Sequence, residues 1–134
     1  MAIDFGLKRC GLAVTDDLQI ISTPLETVDS KKLDDYLKKY FQQEKVDTIV
    51  LGKPLHLDGT ENFLYNNILE LKKHLEENYP TINVELIDER YTSKMALQAM
   101  LDGGMKKKDR KNKENIDLIS AVLILQTYMQ TINK

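Results

Sequence analysis

The sequence predicts an α/β fold in which a mixed sheet has five strands, three antiparallel and then two parallel, with helices on both faces. Three features of the chain carry this prediction. Three short apolar segments come first, separated only by turn-sized connections, as in an antiparallel meander. Two later apolar segments each follow an amphipathic helix pattern, which favours parallel strands joined by right-handed crossovers. A helix pattern near the end is apolar almost all round, so we expect it to be largely buried.

The opening meander is predicted from residues 2–3, 11–14 and 19–23. Gly6 lies between the first two of these strands, where a hairpin connection is expected. The third strand is expected to be interrupted by Pro24.

Two amphipathic helices follow the meander, one on each side of an apolar strand. Ser30 is a good N-cap for the first helix, and Thr60 can cap the second, which Pro80 closes. Their apolar faces recur at helical spacing. The faces consist of Leu33, Tyr36, Leu37, Tyr40 and Phe41 in the first helix, and of Leu64, Ile68, Leu71 and Leu75 in the second.

The two parallel strands are predicted over residues 46–52 and 82–87. The first of them is apolar enough to be buried on both faces of the sheet. A third helix is expected to begin at residues 92–93 and to end at the glycine pair 103–104. The last helix should span about residues 114–129.

Length and composition are those of an ordinary globular protein, and we expect one domain over residues 1–134. Hydrophobic residues make up 42% of the chain and charged residues 30%, which is typical of a soluble fold. No apolar run approaches the roughly 20 residues of a membrane span, so no membrane partner is expected. The single cysteine, Cys10, excludes an internal disulfide and fits a reducing cytoplasm.

The charge distribution is more informative than the net charge of −2. Six basic residues stand against the single acid Asp109 in a short segment that follows the glycine pair, while the rest of the chain is acidic. Such a basic patch on an acidic body indicates contact with a polyanion, although a solvated connector would have the same composition. The basic residues are Lys106, Lys107, Lys108, Arg110, Lys111 and Lys113.

Carboxylates follow two strands of the predicted sheet, Asp4 after the first and Asp88-Glu89 after the last. Ligands of open α/β sheets bind beyond the carboxyl ends of parallel strands, so both strand ends should face one crevice. Alternation sends Asp88 and Glu89 to opposite faces, so only one of them should join Asp4. Asp117 shares a helical stripe with apolar residues, and the small pair Ser120-Ala121 lets this helix approach the sheet closely, which together predict that Asp117 also points inward.

Three converging carboxylates repel one another unless a divalent cation lies among them. Ligands that are all oxygen favour Mg²⁺ or Mn²⁺ over zinc, and two such ions can clamp the attacking and leaving oxygens of a phosphodiester. Simpler interpretations stay open for each acid. Asp4 could cap the hairpin turn, Asp88 the next helix, and Asp117 could favour a helix N-terminus electrostatically. Glu89 could form a surface pair with Arg90.

An opening hairpin with an aspartate occurs in two large groups of proteins, RNase H-like nucleases and the ATPases of the actin and sugar-kinase kind. The ATPases close two such domains around the nucleotide, whereas one domain is expected here. They also need a second phosphate-binding Asp-Gly turn. The pair Asp58-Gly59 is a poor candidate because it leads into a helix after a proline-containing loop.

Four motifs in register resemble the YqgF family, which is also called RuvX and comprises putative pre-16S rRNA nucleases and putative Holliday junction resolvases. The resemblance covers the whole chain. The final motif has Ser120-Ala121 where the family often has two alanines, and few residues precede the first strand. The motifs are Asp4-x-Gly6-x-Lys8-Arg9-x-Gly11, Gly52-x-Pro54-x-x-x-Asp58-Gly59-Thr60, Asp88-Glu89-Arg90-x-Thr92-Ser93 and Asp117-x-x-x-Ala121-x-x-x-Leu125-Gln126.

The resemblance implies an RNase H-like fold and a nuclease site dependent on Mg²⁺ or Mn²⁺, with two ions expected. Asp4, Glu89 and Asp117 carry over as catalytic and metal-binding residues, with Glu89 favoured over Asp88. The implied role is maturation of the 5′ end of 16S rRNA. Resolution of branched DNA and a non-catalytic nucleic-acid-binding role are the alternatives.

The expected partner is therefore a nucleic acid, either structured RNA or branched DNA. The protein is expected to act as a monomer or a weak homodimer, since a dimer would suit a two-fold junction. The residues predicted to contact the nucleic acid are Lys8, Arg9, Arg90, Lys106, Lys107, Lys108, Arg110 and Lys111.

Overall fold

A computed structural model describes residues 1–16, 21–53, 59–88 and 113–132 of the chain. Five strands and three helices, with one short 3-10 turn, make up the described secondary structure. The strands are β1 (Ala2–Asp4), β2 (Arg9–Thr15), β3 (Ser22–Asp29), β4 (Thr48–Lys53) and β5 (Asn83–Asp88). The helices are α1 (Leu33–Gln43), α2 (Gly59–Asn78) and α3 (Lys113–Ile132), and the 3-10 turn is Ser30–Lys32.

The five strands form one sheet in the order β3-β2-β1-β4-β5. β1 pairs antiparallel with β2, and β2 with β3, whereas β1 pairs parallel with β4, and β4 with β5. This arrangement confirms the predicted mixed sheet of three antiparallel strands followed by two parallel ones. Its α/β character is that of an RNase H-like fold.

Helices cover both faces of the sheet, as predicted. On one face, α1 and α2 contribute Leu33, Leu37, Ile68 and Leu75 to a core that also contains Ile3 and Leu51 of the sheet. On the other face, α3 contributes Ala121, Ile124 and Leu125, which pack against Ala2, Ala13 and Val50. We call these the α1/α2 face and the α3 face. The predicted apolar stripes of α1 and α2 are confirmed by this packing.

The prediction for the third strand was wrong in its position. β3 runs through Pro24 to Asp29 instead of ending at the proline. It is an edge strand of the described sheet, so the missing N–H of Pro24 removes no bond from a central ladder. A register irregularity lies opposite Leu12 and Ala13, beside this proline. The predicted start of the strand, residues 19–20, lies outside the described residues.

The start of α1 also differs from the prediction, because a 3-10 turn capped by Asp29 precedes it and the N-cap residue of α1 itself, Lys32, makes no side-chain capping bond. The Asp29 carboxylate accepts a hydrogen bond from the Lys31 N–H at 3.0 Å, and the 3-10 turn precedes the α-helix. The Ser30 hydroxyl instead donates to the carbonyl oxygen of Gly6 at 2.6 Å. The helix predicted from residues 92–93 to the glycine pair lies outside the described residues, as does the loop before Gly59.

Within the described part of the chain, no helix is both long enough and apolar enough to span a bilayer.

Candidate active site at the carboxyl end of the sheet

Asp4 is the last residue of β1, and its side chain lies on the α3 face. Side chains alternate along a strand, and Ala2, two residues earlier, belongs to the core beneath α3. Asp4 stands directly opposite Gly11 of β2 in the antiparallel ladder. Gly11 and Ala13 face the same side as Asp4, because the intervening Leu12 packs on the α1/α2 face. Asp4 is only partly buried.

Helix α3 approaches the sheet very closely at Gly11. A Cβ atom added to Gly11 would overlap the carbonyl oxygen and carbon of Asp117 and would lie 3.1 Å from the Asp117 Cβ. The backbone of the helix therefore rests on the backbone of β2 where the strand has no side chain. Gly11 thus has Asp4 beside it in the sheet and Asp117 packed over it on the α3 face, in agreement with the inward orientation predicted for Asp117.

Asp117 forms an ion pair with Arg9, which precedes Gly11 by two residues on the same face of β2. The Arg9 Nε donates to Asp117 Oδ2 at 2.9 Å. The side chains keep 30% and 24% of their exposure, so the pair is partly shielded from water. A charge-assisted hydrogen bond of this kind orients the Asp117 carboxylate, and the arginine balances its negative charge.

Cys10, which lies between Arg9 and Gly11 in β2, points to the opposite face of the sheet and is buried. Burial raises the pKa of the Cys10 thiol above its ordinary value, hydrogen bonds with Ser30 and Gly6 lower it, and the negative charges of Asp4 and Asp117 raise it further. The thiol therefore stays protonated near neutral pH. This confirms the interpretation of Cys10 as a small core residue.

The turn between β1 and β2 is fastened to the segment after β3 by Ser30. Its hydroxyl donates to Gly6 O at 2.6 Å, and its backbone N–H donates to Lys8 O at 3.0 Å. The turn is also tight, because a Cβ on Gly6 would come within 2.6 Å of the Arg9 carbonyl oxygen. Ser30 and Gly6 thereby set the position from which Arg9 reaches Asp117.

Asp88 ends β5 and lies on the other face from Asp4. Val84 and Leu86 pack with the α1/α2 core, whereas Ile87 packs on the α3 face. Asp88 is exposed, and because side chains alternate along a strand, it faces the same side as Val84 and Leu86. Glu89 lies outside the described residues.

Among the predicted nucleic-acid contacts, Lys8 is exposed in the turn between β1 and β2. Arg9 is engaged with Asp117. The remaining predicted contacts, Arg90, Lys106, Lys107, Lys108, Arg110 and Lys111, lie outside the described residues.

Three features of this site were missed by sequence reasoning: the contact of Gly11 with Asp117, the Arg9–Asp117 pair and the tether formed by Ser30. The close approach of the last helix was predicted from the small pair Ser120-Ala121 and is confirmed, but its position at Gly11 was not, and a glycine inside an apolar strand was the available signal for it. No sequence signal links Arg9 to an acid 108 positions away.

The donor chemistry of the site fits a hard divalent cation. Asp4 and Asp117 supply carboxylate oxygens, and the nearby Cys10 is a buried, protonated thiol on the other face. Among the described residues, no group of three or more acidic, histidine or cysteine side chains is placed to hold a metal ion. β5 ends at Asp88, and Glu89, the third acid predicted for this site, lies outside the described residues.

The Ser30 tether gives a first testable expectation. Ser30→Ala should lower the free energy of unfolding by about 1 kcal/mol, because the Gly6 carbonyl oxygen loses its donor. It should also loosen the turn, which amide hydrogen exchange of Lys8 and Arg9 would detect. Ser22→Ala is the matched control, since the Ser22 hydroxyl donates to Val122 O at 3.1 Å far from the turn. A similar loss of stability without faster exchange at Lys8 and Arg9 is expected for the control. Equal exchange in both variants would contradict the positioning role of Ser30.

The chain is similar to known proteins over almost its whole length. A family model described as "RuvX: Holliday junction resolvase" matches residues 1–131. A protein of Phocaeicola vulgatus named "Putative pre-16S rRNA nuclease" is 48% identical over 131 residues, covering 98% of this chain and 94% of the relative. Proteins with the same name from Christiangramia forsetii and Flavobacterium johnsoniae are each 44% identical, covering 96% and 98% of this chain and 96% and 95% of the relatives.

Proposed function

Because the chain belongs to the RuvX family, we propose that it is a divalent-metal-dependent nuclease that processes the 5′ end of pre-16S rRNA during ribosome biogenesis. The family description and the names of the relatives indicate a nuclease, a hydrolase that acts on phosphodiester bonds. One structural observation carries the proposal. Asp4, beside Gly11 in the sheet, and Asp117, packed over Gly11, both lie at the carboxyl end of β1, where a nuclease of this fold class needs its carboxylates.

In this proposal Asp4, Glu89 and Asp117 are the catalytic and metal-binding residues. The choice of Glu89 over Asp88 is supported by the alternation along β5. Glu85 hydrogen-bonds to Tyr128 of α3 and Ile87 packs on the α3 face, so the odd-numbered positions share the face of Asp4. Asp88 belongs to the even-numbered series, which faces the other way.

Nucleases of the resolvase type generally use divalent metals, and we propose Mg²⁺ or Mn²⁺, with two ions. Bound there, such ions would neutralise charge on a phosphodiester and activate water. The chain's own part is to hold the carboxylates in place. Gly11 lets the backbone of Asp117 pack directly on β2 beside Asp4, and Arg9 pairs with the Asp117 carboxylate in the absence of a cation.

The proposed substrate contacts are basic. Lys8 and Arg90 flank two of the acids in sequence, and the segment from Lys106 to Lys111 precedes the third. A nucleic acid is the partner implied by a nuclease family. We further propose that residues 1–134 act as one domain, as a monomer or weak homodimer, in the cytoplasm where ribosomes are assembled.

A second candidate function is resolution of four-way DNA junctions, which the description of the family model favours. Both functions use the same carboxylates, so the site geometry does not separate them. The substrate does, because a precursor rRNA and a branched DNA present different strands to the same site.

The deciding experiment offers both substrates to the same preparation. Precursor 16S rRNA and a four-way DNA junction are incubated with the protein and with Mg²⁺, Mn²⁺ or EDTA, with Asp4→Asn as the control. We expect metal-dependent cleavage of the rRNA near its 5′ end and none by Asp4→Asn. Cleavage of the junction alone would favour the second function. A protein that binds both substrates and cleaves neither, with or without metal, would instead be a non-catalytic nucleic-acid-binding factor.

The basic segment gives a second expectation. Changing Lys106, Lys107, Lys108 and Lys111 to alanine should weaken binding of single-stranded RNA. The plot of the logarithm of the association constant against the logarithm of the salt concentration should become less steep by roughly 3, because each phosphate that is no longer neutralised accounts for about 0.7. The control replaces four exposed lysines elsewhere, Lys38, Lys39, Lys45 and Lys73. Fluorescence anisotropy at several salt concentrations measures both slopes. A slope that falls equally in the two variants would show that only net charge matters.

A further inference from the structure

The ion pair between Arg9 and Asp117 has a consequence for how the site takes up a cation. Arg9 puts a guanidinium 2.9 Å from a carboxylate that is proposed to bind metal. The guanidinium is positively charged, so it opposes a second positive charge at the same carboxylate. Both side chains are only partly exposed, which leaves the repulsion incompletely screened.

We propose that Arg9 is an exchangeable counter-ion of the carboxylate site: it balances Asp117 in the cation-free protein and gives way when a divalent cation binds. The proposal rests on the proposed function, because it takes Asp117 to be a metal ligand. In this view Arg9 tunes the affinity of the site for the cation, in addition to the nucleic-acid contact predicted from the sequence.

The structure favours exchange over a fixed scaffold for two reasons. Arg9 is the first residue of β2, beside the turn, and its side chain retains 30% exposure, so it has a path to solvent. The contact is made through Nε to one carboxylate oxygen, Oδ2. Once released, the guanidinium can pair with a phosphate group, which is the alternative anion that arginine binds well. Binding of the cation would then release the Arg9 guanidinium at the carboxyl end of β1, where the nucleic acid is expected to bind.

The sign of the effect separates this role from a structural one. If Arg9 opposes the cation, removing its charge should tighten cation binding even though the folded protein loses an ion pair. If Arg9 only orients Asp117 for the cation, any change to it should weaken cation binding. Stability of the cation-free protein falls in both cases, so cation affinity is the informative readout.

The experiment titrates the full chain with Mn²⁺ alone, without nucleic acid, following heat by calorimetry and unbound Mn²⁺ by electron paramagnetic resonance. Four proteins are compared: wild type, Arg9→Gln, Arg9→Lys and Lys8→Gln. Arg9→Gln removes the charge but keeps an amide donor for Asp117. Arg9→Lys keeps the charge but loses the guanidinium geometry. Lys8→Gln removes one charge from the neighbouring exposed position in the same turn.

We expect Arg9→Gln to bind Mn²⁺ about tenfold more tightly than wild type, while Arg9→Lys and Lys8→Gln stay within about twofold of it. Thermal melts in EDTA should place Arg9→Gln below wild type, which shows that the ion pair is present and that the variant folds. An Arg9→Gln affinity equal to or weaker than wild type overturns the proposal, and so does an equal gain in Lys8→Gln.

Failure of the proposed function has a different signature. If neither wild type nor any variant binds Mn²⁺, the cation site itself is absent and the counter-ion role falls with it. Binding by wild type with an unchanged or weakened Arg9→Gln overturns the counter-ion role alone, and the cation site stands.

Discussion

Replacing Gly11 with alanine should destabilise the folded protein by about 3 kcal/mol and lower its Tm by roughly 10 °C. The added Cβ would overlap the carbonyl group of Asp117, which belongs to the backbone of α3 and has no alternative rotamer. Either the helix moves away from the sheet, exposing its buried residues Ala121 and Ile124, or β2 distorts. Both responses also separate Asp117 from Asp4, so any nuclease activity should be lost with the stability.

The direction of this effect is diagnostic. An unconstrained glycine replaced by alanine usually gains about 0.4–1 kcal/mol, because the unfolded chain loses conformational freedom. Chemical denaturation of Gly11→Ala, with Lys45→Ala as an exposed control expected to stay within about 0.5 kcal/mol of wild type, measures the difference. A Gly11→Ala protein as stable as wild type would contradict the close approach of α3 to β2.

The parts of the fold that follow from hydrophobic periodicity could be predicted from the sequence. Helices α1 and α2 bury the apolar stripes that the spacing indicated, and the mixed sheet follows from which strands a helix separates. β3 could not be placed correctly, because its path depends on being an edge strand. The strand order shows that β3 lies at the edge of the sheet, where the missing N–H of Pro24 removes no hydrogen bond between central strands. Strand order is a property of the whole sheet and cannot be read from the segment itself.

The candidate site shows a similar division. The inward orientation of Asp117 was predictable from Ala121 and Ile124 on the same helical stripe, and the structure confirms that both are buried. The partner of Asp117 was not predictable. Arg9 looked like an exposed turn residue suited to phosphates, and only the docking of α3 on Gly11 brings the two side chains together. Long-range ion pairs of this kind leave no local pattern in a sequence.

The largest expected effect on activity comes from Asp4. Asp4→Asn should reduce metal-dependent cleavage on the order of a thousandfold while leaving the Tm in EDTA within a few degrees of wild type. The amide has nearly the same shape as the carboxylate, but it lacks the negative charge that holds a divalent cation. Asp4 lies beside Gly11 and on the face of Asp117, so its charge contributes directly to the proposed cation site.

Asp88→Asn is the matched control, because it makes the same chemical change at the end of another strand of the sheet. Asp88 is exposed on the side of Val84 and Leu86, away from Asp4, so its loss should leave cleavage within about threefold of wild type. Glu89→Gln should behave like Asp4→Asn if Glu89 is the third acid. Single-turnover cleavage with saturating Mn²⁺ compares the three variants. An inactive Asp88→Asn together with an active Glu89→Gln would reverse the assignment and place the third acid on the α1/α2 face.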